Sequence, residues 1–452
     1  MSSTSLLDQS ALTDLAARLV EAARRAGADA ADAVAVRSMS LSVEVRDGAV
    51  EETERAEGDD VGLRVLVGRR QALVSTNDTK GNGAGALAER AVAMARAAPE
   101  DRFAGLADRD ALTREIPDLD LIDPALPSTG ELEEIALTAE GAALEVKGVS
   151  KSGGASASAG IGGLVLVTSH GFRGAYLGSR RSLSMIAIAG EGTAMERDYD
   201  FSSALHAADL DDAATVGRKA GERAVKRLNP RKVPTGRVPV VFDSRVAGSL
   251  IGHLASAVNG TTIARKTSFL MEKRGERLFR SGIKVVDDPL RRRGLRSRPF
   301  DAEGVAGRPL AIVEDGVLKS WLLDSTTGRE LDLPTTGHAQ RGVSSAPSPG
   351  STNLYLAPGA RTPDALIADI DEGFYVVDLI GMGANIVTGD YSRGAAGFWI
   401  KNGALTYPVS EVTIAGRLAD IFRNLEPADD LAFRYGTNAP TVRVEGLTVA
   451  GE

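Results

Sequence analysis

Val238-Pro-Val-Val-Phe-Asp-Ser-Arg-Val-Ala-Gly-Ser-Leu-Ile-Gly-His-Leu-Ala-Ser-Ala-Val-Asn-Gly260 reads as a strand feeding a helix. Val238, Val240, Val241 and Phe242 form the short apolar run of a buried strand. Asp243 and Ser244 are both N-cap residue types, able to accept a hydrogen bond from an early helix amide. Val246, Leu250, Leu254 and Val258 recur every four residues as one apolar stripe, widened by Ile251. Gly260 fits a helix stop. The opposite face carries only small residues, Gly248, Ser249, Gly252, Ala255 and Ser256, so another backbone can come close to it.

Around this stretch lies a chain of 452 residues, long enough for two or more domains. Apolar residues make up 43% and charged residues 25%, an ordinary globular balance. Aromatic residues are only 4% against 50 glycines, so the core is expected to be built from Val, Leu, Ile and Ala with many tight turns. The net charge of −8 works against non-specific nucleic-acid binding, which needs a positive field. With no cysteine, disulfides, thiolate metal sites and thiol nucleophiles are excluded. The opening Met1–Asp8 stretch has no basic segment followed by an apolar run, and no apolar segment approaches a membrane span; a soluble cytoplasmic protein is expected.

Upstream, residues 11–26 form an amphipathic helix with Leu12, Leu15, Leu19 and Val20 on one side, ended by Gly27. Ala33–Val36 and the alternating Leu41, Val43 and Val45 read as strands, and Asp47-Gly48 is a strong hairpin signal. Further alternation through Leu63–Val67 and Ala72–Val74 predicts an antiparallel meander, followed by a helix over 84–97. Residues 101–127 are a proline-punctuated connector. Ser128-Thr-Gly-Glu131 has capping-box spacing, opening a helix to about Val146. Residues 149–192 predict three or four strands around a His170-Gly171 turn; the small residues at 153–163 suggest an edge or close-contact strand. A helix over 211–227 precedes the linker-like 229–237.

Downstream, Asp315-Gly316 and Asn402-Gly403 are further hairpin signals, and strands are expected at 353–356, 374–380, 404–409 and 447–450. Arg291, Arg292, Arg293, Arg296 and Arg298 form a basic run, read as a solvated loop rather than a ligand reader. The predicted class is α+β in two domains. Residues 1–230 hold an antiparallel sheet with helices; residues 235–452 are strand-rich, barrel- or sandwich-like.

The organising stretch, with Ala264-Arg-Lys-Thr-Ser-Phe-Leu270, resembles the middle of the TldD/PmbA family, bacterial proteins known as a heteromeric metalloprotease. Gly316–Leu323, Thr336-Gly-His338, Gly389-Asp-Tyr-Ser-Arg-Gly-Ala-Ala-Gly-Phe-Trp399 and Tyr407–Gly416 look like the PmbA (TldE) branch specifically. The resemblance covers most of 238–425 and is weaker upstream, where it implies an N-terminal domain that helps form a dimer cavity. In the TldD branch the equivalent helix carries His-Glu-x-x-x-His. Counted back from Arg265-Lys266, those positions are Gly252, His253 and Ala257, and Tyr435-Gly-Thr-Asn438 offers Asn438 where the family has its third ligand, a cysteine. The resemblance therefore implies a chain without its own zinc site.

The residues agree. A zinc protease needs imidazoles or carboxylates around the metal and an acid or base for water. The four histidines, His170, His206, His253 and His338, include no two within six residues, so a helix-borne pair is excluded. Gly153–Gly160 does not give a Gly-x-Ser-x-Gly elbow, and Gly81-Asn-Gly-Ala-Gly85 lacks the dinucleotide and P-loop spacings. Two readings of His253 stand side by side, a hydrogen-bonded interface residue and a peptide contact in a dimer cavity. Arg265, Lys266 and Arg393 are the other contact candidates. The functional expectation is a non-catalytic subunit whose TldD-type partner supplies zinc and which helps hold unstructured peptides. The alternatives are a homodimeric peptide- or protein-binding protein without hydrolytic activity, or an independent hydrolase. No cofactor, nucleic acid or membrane is expected as a ligand of this chain.

Overall fold

The computed structural model describes residues 7–80, 83–381 and 383–451. Most of the N-terminal stretch and Gly81-Asn82 of the glycine cluster lie outside the described residues.

The first helix, α1 (Ser10–Arg25), buries Leu12, Leu15, Leu19 and Val20. Gly27, at φ 99°, turns the chain into β1 (Ala30–Arg46). There follow β2 (Ala49–Val67), β3 (Arg70–Thr76), α2 (Ala84–Ala97), α3 (Thr129–Leu144), β4 (Val149–Thr168), β5 (Arg173–Ala189), β6 (Glu196–Ala204) and α4 (Ala213–Lys226). The strands make one six-stranded sheet, β3-β2-β1-β4-β5-β6, antiparallel throughout. Side chains alternate across a strand, so Ala31, Ala33, Ala35, Val43 and Val45 of β1 share one face. That face is covered by α1 and α2 toward one end and by α3 and α4 toward the other. The capping box forms as expected: Ser128 Oγ accepts from Glu131 N, and the Glu131 carboxylate accepts from Ser128 N.

Several predicted strands merge. Ala33–Val36 and Leu41–Val45 are parts of the single 17-residue β1, because Arg37 between them stays on the ladder and pairs with Asp59 at 2.8 Å. Likewise β4 runs unbroken through Gly160–Gly163. It is an interior strand, not an edge, and its glycines mark close contact: a Cβ on Gly163 would lie 1.8 Å from Gln9 Nε2. The strand β6 gives no signal in the sequence pattern, because its Asp198 and Asp200 are buried as ion-pair partners and break the apolar alternation.

The second half contains β7 (Gly236–Phe242), α5 (Ser244–Ala257), α6 (Gly260–Ala264), β8 (Val285–Asp287), β9 (Leu310–Glu314), β10 (Val317–Leu318), α7 (Ser325–Glu330), β11 (Ala339–Gln340), β12 (Ser348–Pro349) and β13 (Leu354–Leu356). It continues with α8 (Pro363–Ile367), β14 (Glu372–Ile380), β15 (Asp390–Lys401), β16 (Ala404–Arg417), α9 (Leu418–Asn424), β17 (Leu425–Pro427), β18 (Thr437–Asn438) and β19 (Val442–Ala450). The order β16-β15-β14-β7-β19 closes on itself through the β16–β19 pairing, Ile414 opposite Val449, giving a five-stranded barrel with β17 outside β19. A smaller sheet, β10-β9-β8-β13-β18, stands beside it. Of the barrel- and sandwich-like alternatives, the barrel is the one that forms.

All three hairpin signals hold, with positive φ at both turn residues: Asp47 and Gly48 (53° and 78°), Asp315 and Gly316 (47° and 75°), Asn402 and Gly403 (51° and 75°). Gly260 does not stop the organising helix. That helix ends at Ala257, and Asn259 caps a new short helix that Gly260 begins. A side chain at 260 would collide with Thr327 Oγ1, 2.6 Å from the position of its Cβ.

Candidate functional site

Asp243 sets the start of α5. Its Oδ1 accepts from Arg245 N at 2.9 Å, and its Oδ2 accepts from the Tyr375 hydroxyl at 2.9 Å. Leu250, Ile251 and Leu254 anchor the helix in the core between the barrel and the smaller sheet. The small-residue face meets this chain's own β18, where a Cβ on Gly248 would lie 2.9 Å from the Thr437 carbonyl oxygen. One turn on, at Gly252, a Cβ would meet nothing within 4 Å. The space it leaves belongs to a cavity of about 440 Å3 between α5 and the N-terminal sheet.

Strand alternation explains the far wall. Arg180 of β5 and Phe201 and Ser203 of β6 lie on the sheet face opposite the one that carries α3 and α4. The near wall is Arg245 with Gly248 and Gly252 of α5, and the side wall is the Arg434–Thr437 loop. Arg245 is held on Asp198 at 2.9 Å. Burial works against its charge, yet the hydrogen bond and charge of Asp198 outweigh that and raise its pKa. Tyr435 packs edge-on against Phe201, ring centres 5.2 Å apart, and burial pushes its hydroxyl up to about 12.

The four positions that the resemblance sets against the TldD branch's metal motif fall as follows. Gly252 faces the cavity without a side chain. Ala257 is fully buried in the core. Asn438 is buried and its amide is committed: Oδ1 accepts from Arg434 N (3.0 Å) and Tyr435 N (2.9 Å), and Nδ2 donates to Tyr435 O (2.8 Å). The side chains at these positions do not fit a zinc ion, because a hydrogen, a methyl and a fully bonded amide offer no donor set beside His253.

His253 lies on the neighbouring face of α5, its ring edge-on to Tyr391 with centres 5.9 Å apart. Burial, and then the charge of Arg393, lower its pKa to about 4, so the imidazole is neutral at pH 7. The structure brings His253 and Arg393 together. It leaves Arg265 and Lys266 exposed beyond α6, away from the cavity lining. His253 Nε2, the Tyr391 hydroxyl and Arg393 Nε are all buried without a hydrogen-bond partner among the described residues. The other histidines are held apart: His170 Nδ1 meets Ala107 O at 2.8 Å, His206 Nε2 meets Asp120 O at 2.9 Å, and His338 Nε2 meets Asp287 at 3.2 Å.

The basic run is not one solvated loop. Arg292 and Arg293 both pair with Asp120, Arg291 stacks on the Phe433 ring 3.3 Å from its centre, Arg298 is buried, and Arg296 lines the cavity. Arg180 and Arg434 carried no signal in the sequence, since each joins the cavity from a distant element.

The fold and cavity define an α+β protein whose closed barrel presents one helix, with Gly248 and Gly252 toward the cavity, to an antiparallel sheet. The chain belongs to the PmbA/TldD metallopeptidase family, in its PmbA (TldE) branch. Profiles of the PmbA/TldA metallopeptidase domain 1, central domain and C-terminal domain match residues 31–95, 122–228 and 235–451. The chain is 37% identical over 437 residues to a metalloprotease PmbA homolog of Haemophilus influenzae, covering 96% of this chain and 94% of that one. It is 36% identical to the metalloprotease PmbA of Escherichia coli O157:H7, covering 94% and 93%. A crystal structure from Bacteroides thetaiotaomicron, described as a candidate modulator of DNA gyrase, superposes with a TM-score of 0.89 at 28% identity, covering 97% and 98%.

Proposed function

We propose that this chain is the non-catalytic subunit of a heteromeric zinc metalloprotease that degrades or processes unstructured peptides. Its partner is a TldD-type chain carrying His-Glu-x-x-x-His, which supplies the zinc and the water-activating glutamate. The reading rests on one observation: Gly252, Ala257 and Asn438 offer no metal donors at the positions where the family's metal-binding branch has them. The metalloprotease naming of the PmbA relatives supports the protease setting. This chain's part is to close the chamber and hold an extended substrate. Strand pairing suits that role, because backbone hydrogen bonds grip any unfolded sequence. The C-terminal barrel closes on itself, so the terminal strands of the chain's largest open sheet are β3 and β6 of the N-terminal sheet. His253 and Arg393 stand as contacts within the chamber, with Arg265 and Lys266 at its entrance. The cytoplasm is the proposed location, and among the described residues no helix is long and apolar enough to cross a membrane.

The test is to mix the purified chain with a partner that carries His-Glu-x-x-x-His and to follow cleavage of an unstructured peptide. Cleavage that neither chain supports alone is the expected result. Cleavage by the partner that does not change on adding this chain overturns the reading and favours a homodimeric peptide-binding protein. Cleavage by this chain alone overturns both.

A further inference from the structure

Among the described residues, the cavity beside α5 is lined by four arginines, Arg180, Arg245, Arg296 and Arg434, and by no acidic side chain, in a chain whose net charge is −8. Two of them are neutralised. Arg245 pairs with Asp198 at 2.9 Å and Arg434 with Asp211 at 2.7 Å. Arg180 and Arg296 have no ion pair among the described residues, so they leave the cavity with uncompensated positive charge. The walls are shaped to keep it open. Gly436 gives up its side chain to Arg296, since a Cβ there would lie 2.0 Å from Arg296 Nε. Gly252 leaves the floor empty, and the Asn438 amide fixes the loop that carries Arg434 and Tyr435.

We propose that this cavity binds a carboxylate-bearing side chain of an extended peptide, held between Arg180 and Arg296. A guanidinium fork matches a carboxylate in two parallel hydrogen bonds, and Phe201 and Tyr435 offer flat walls for the methylene stem. The volume of about 440 Å3 suits a side chain and its flanking backbone. The negative charge of the whole chain opposes a long polyanion such as nucleic acid. Phosphate shares the anion chemistry and is separated from the carboxylate in the experiment. The inference gives a substrate preference to the subunit proposed above and rests on that reading for its biological setting.

The experiment is fluorescence anisotropy of the full chain with two labelled unstructured peptides, identical except that one carries Glu-Glu where the other carries Gln-Gln. The Glu peptide is expected to bind at least about tenfold more tightly, by a margin that narrows as salt is added. Arg180→Ala, Arg296→Ala and Gly252→Leu, the last filling the floor, are each expected to weaken it by about tenfold. Arg173→Ala, on the same strand but paired with Asp14, is expected to leave it unchanged. Equal binding of the two peptides, no binding of the Glu peptide, or unaltered binding by the Arg180→Ala/Arg296→Ala double variant overturns the proposal. Full displacement by an equal concentration of inorganic phosphate overturns the peptide assignment in favour of a general anion site. Partner-dependent cleavage is scored separately: cleavage without Glu preference sinks only this inference, whereas Glu-selective binding without partner-dependent cleavage sinks only the subunit reading.

Discussion

Arg341 donates to the Asp32 carboxylate at 2.5 Å, joining residues 309 positions apart. Asp32 also accepts from Arg64 Nε at 2.9 Å, and all three side chains are almost fully buried. Burial pushes the Asp32 carboxyl up, but the charges of Arg341 and Arg64 outweigh it and hold it below the usual range. Asp32 and Arg64 belong to the N-terminal sheet and Arg341 to the second half, so this contact ties the two halves together.

Breaking a buried pair by removing one partner leaves a charge without compensation and costs about 3–5 kcal/mol. Asp32→Asn takes away the carboxylate that Arg64 and Arg341 share and is therefore expected to lower the denaturant midpoint by a corresponding amount. Adding Arg341→Met to it is expected to recover part of the loss, because one of the two stranded charges goes. Equilibrium unfolding in guanidinium chloride checks both.

Glu303 lies near the same seam. Burial, and then the charges of Asp301 and Asp324, push its pKa up to about 8 from an ordinary 4.5. Between those values the folded chain binds more protons than the unfolded chain, so stability is present at low pH and is lost as pH rises through about 8. Asp301, also raised by burial, acts in the same direction. Glu303→Gln mimics the protonated form, and its melting temperature is expected to fall less than that of the parent chain between pH 6 and 9.

His253 acts in the opposite direction. Its folded pKa of about 4 lies below the ordinary 6.5, so the unfolded chain binds more protons between these values and stability falls as pH drops from 6.5 toward 4. Its imidazole NMR signals are expected to titrate below pH 5, and His253→Leu is expected to flatten the acid limb of the stability profile. An imidazole midpoint near 6.5 would contradict the buried placement.

Asn438→Ala removes three hydrogen bonds and leaves the amides of Arg434 and Tyr435 without that acceptor. A loss of about 1–3 kcal/mol in unfolding free energy is expected. Asn438→Asp keeps the acceptor oxygen but sets a second oxygen against the Tyr435 carbonyl, so it is expected to lose less than Asn438→Ala only at low pH, where the protonated carboxyl can donate in place of Nδ2. A variant as stable as the parent would show that the loop holds itself.

Local chemistry made much of this legible. Asp47-Gly48, Asp315-Gly316 and Asn402-Gly403 announce their hairpins because few residue pairs accept two positive φ values in succession. Ser128 and Glu131 announce a helix start because each satisfies the other's backbone amide. What stayed hidden depends on distant partners. The strand β6 looks polar until Arg245 and Arg223 are placed over Asp198 and Asp200. That Gly252 and Ala257 offer no metal donor is plain from the sequence, whereas the cavity beside Gly252 draws Arg180, Arg296 and Arg434 from separate elements.

The position of β7 between β14 and β19 has a consequence for biosynthesis. Residues 236–242 leave the ribosome before either neighbour, residues 372–380 and 442–450, has been made. A Val-rich strand is thus exposed through nearly half of translation, the interval in which unpaired strands are most prone to wrong partners. Pro239 lies within that strand and lacks an amide hydrogen, so it weakens any illicit ladder while the barrel waits for its last member.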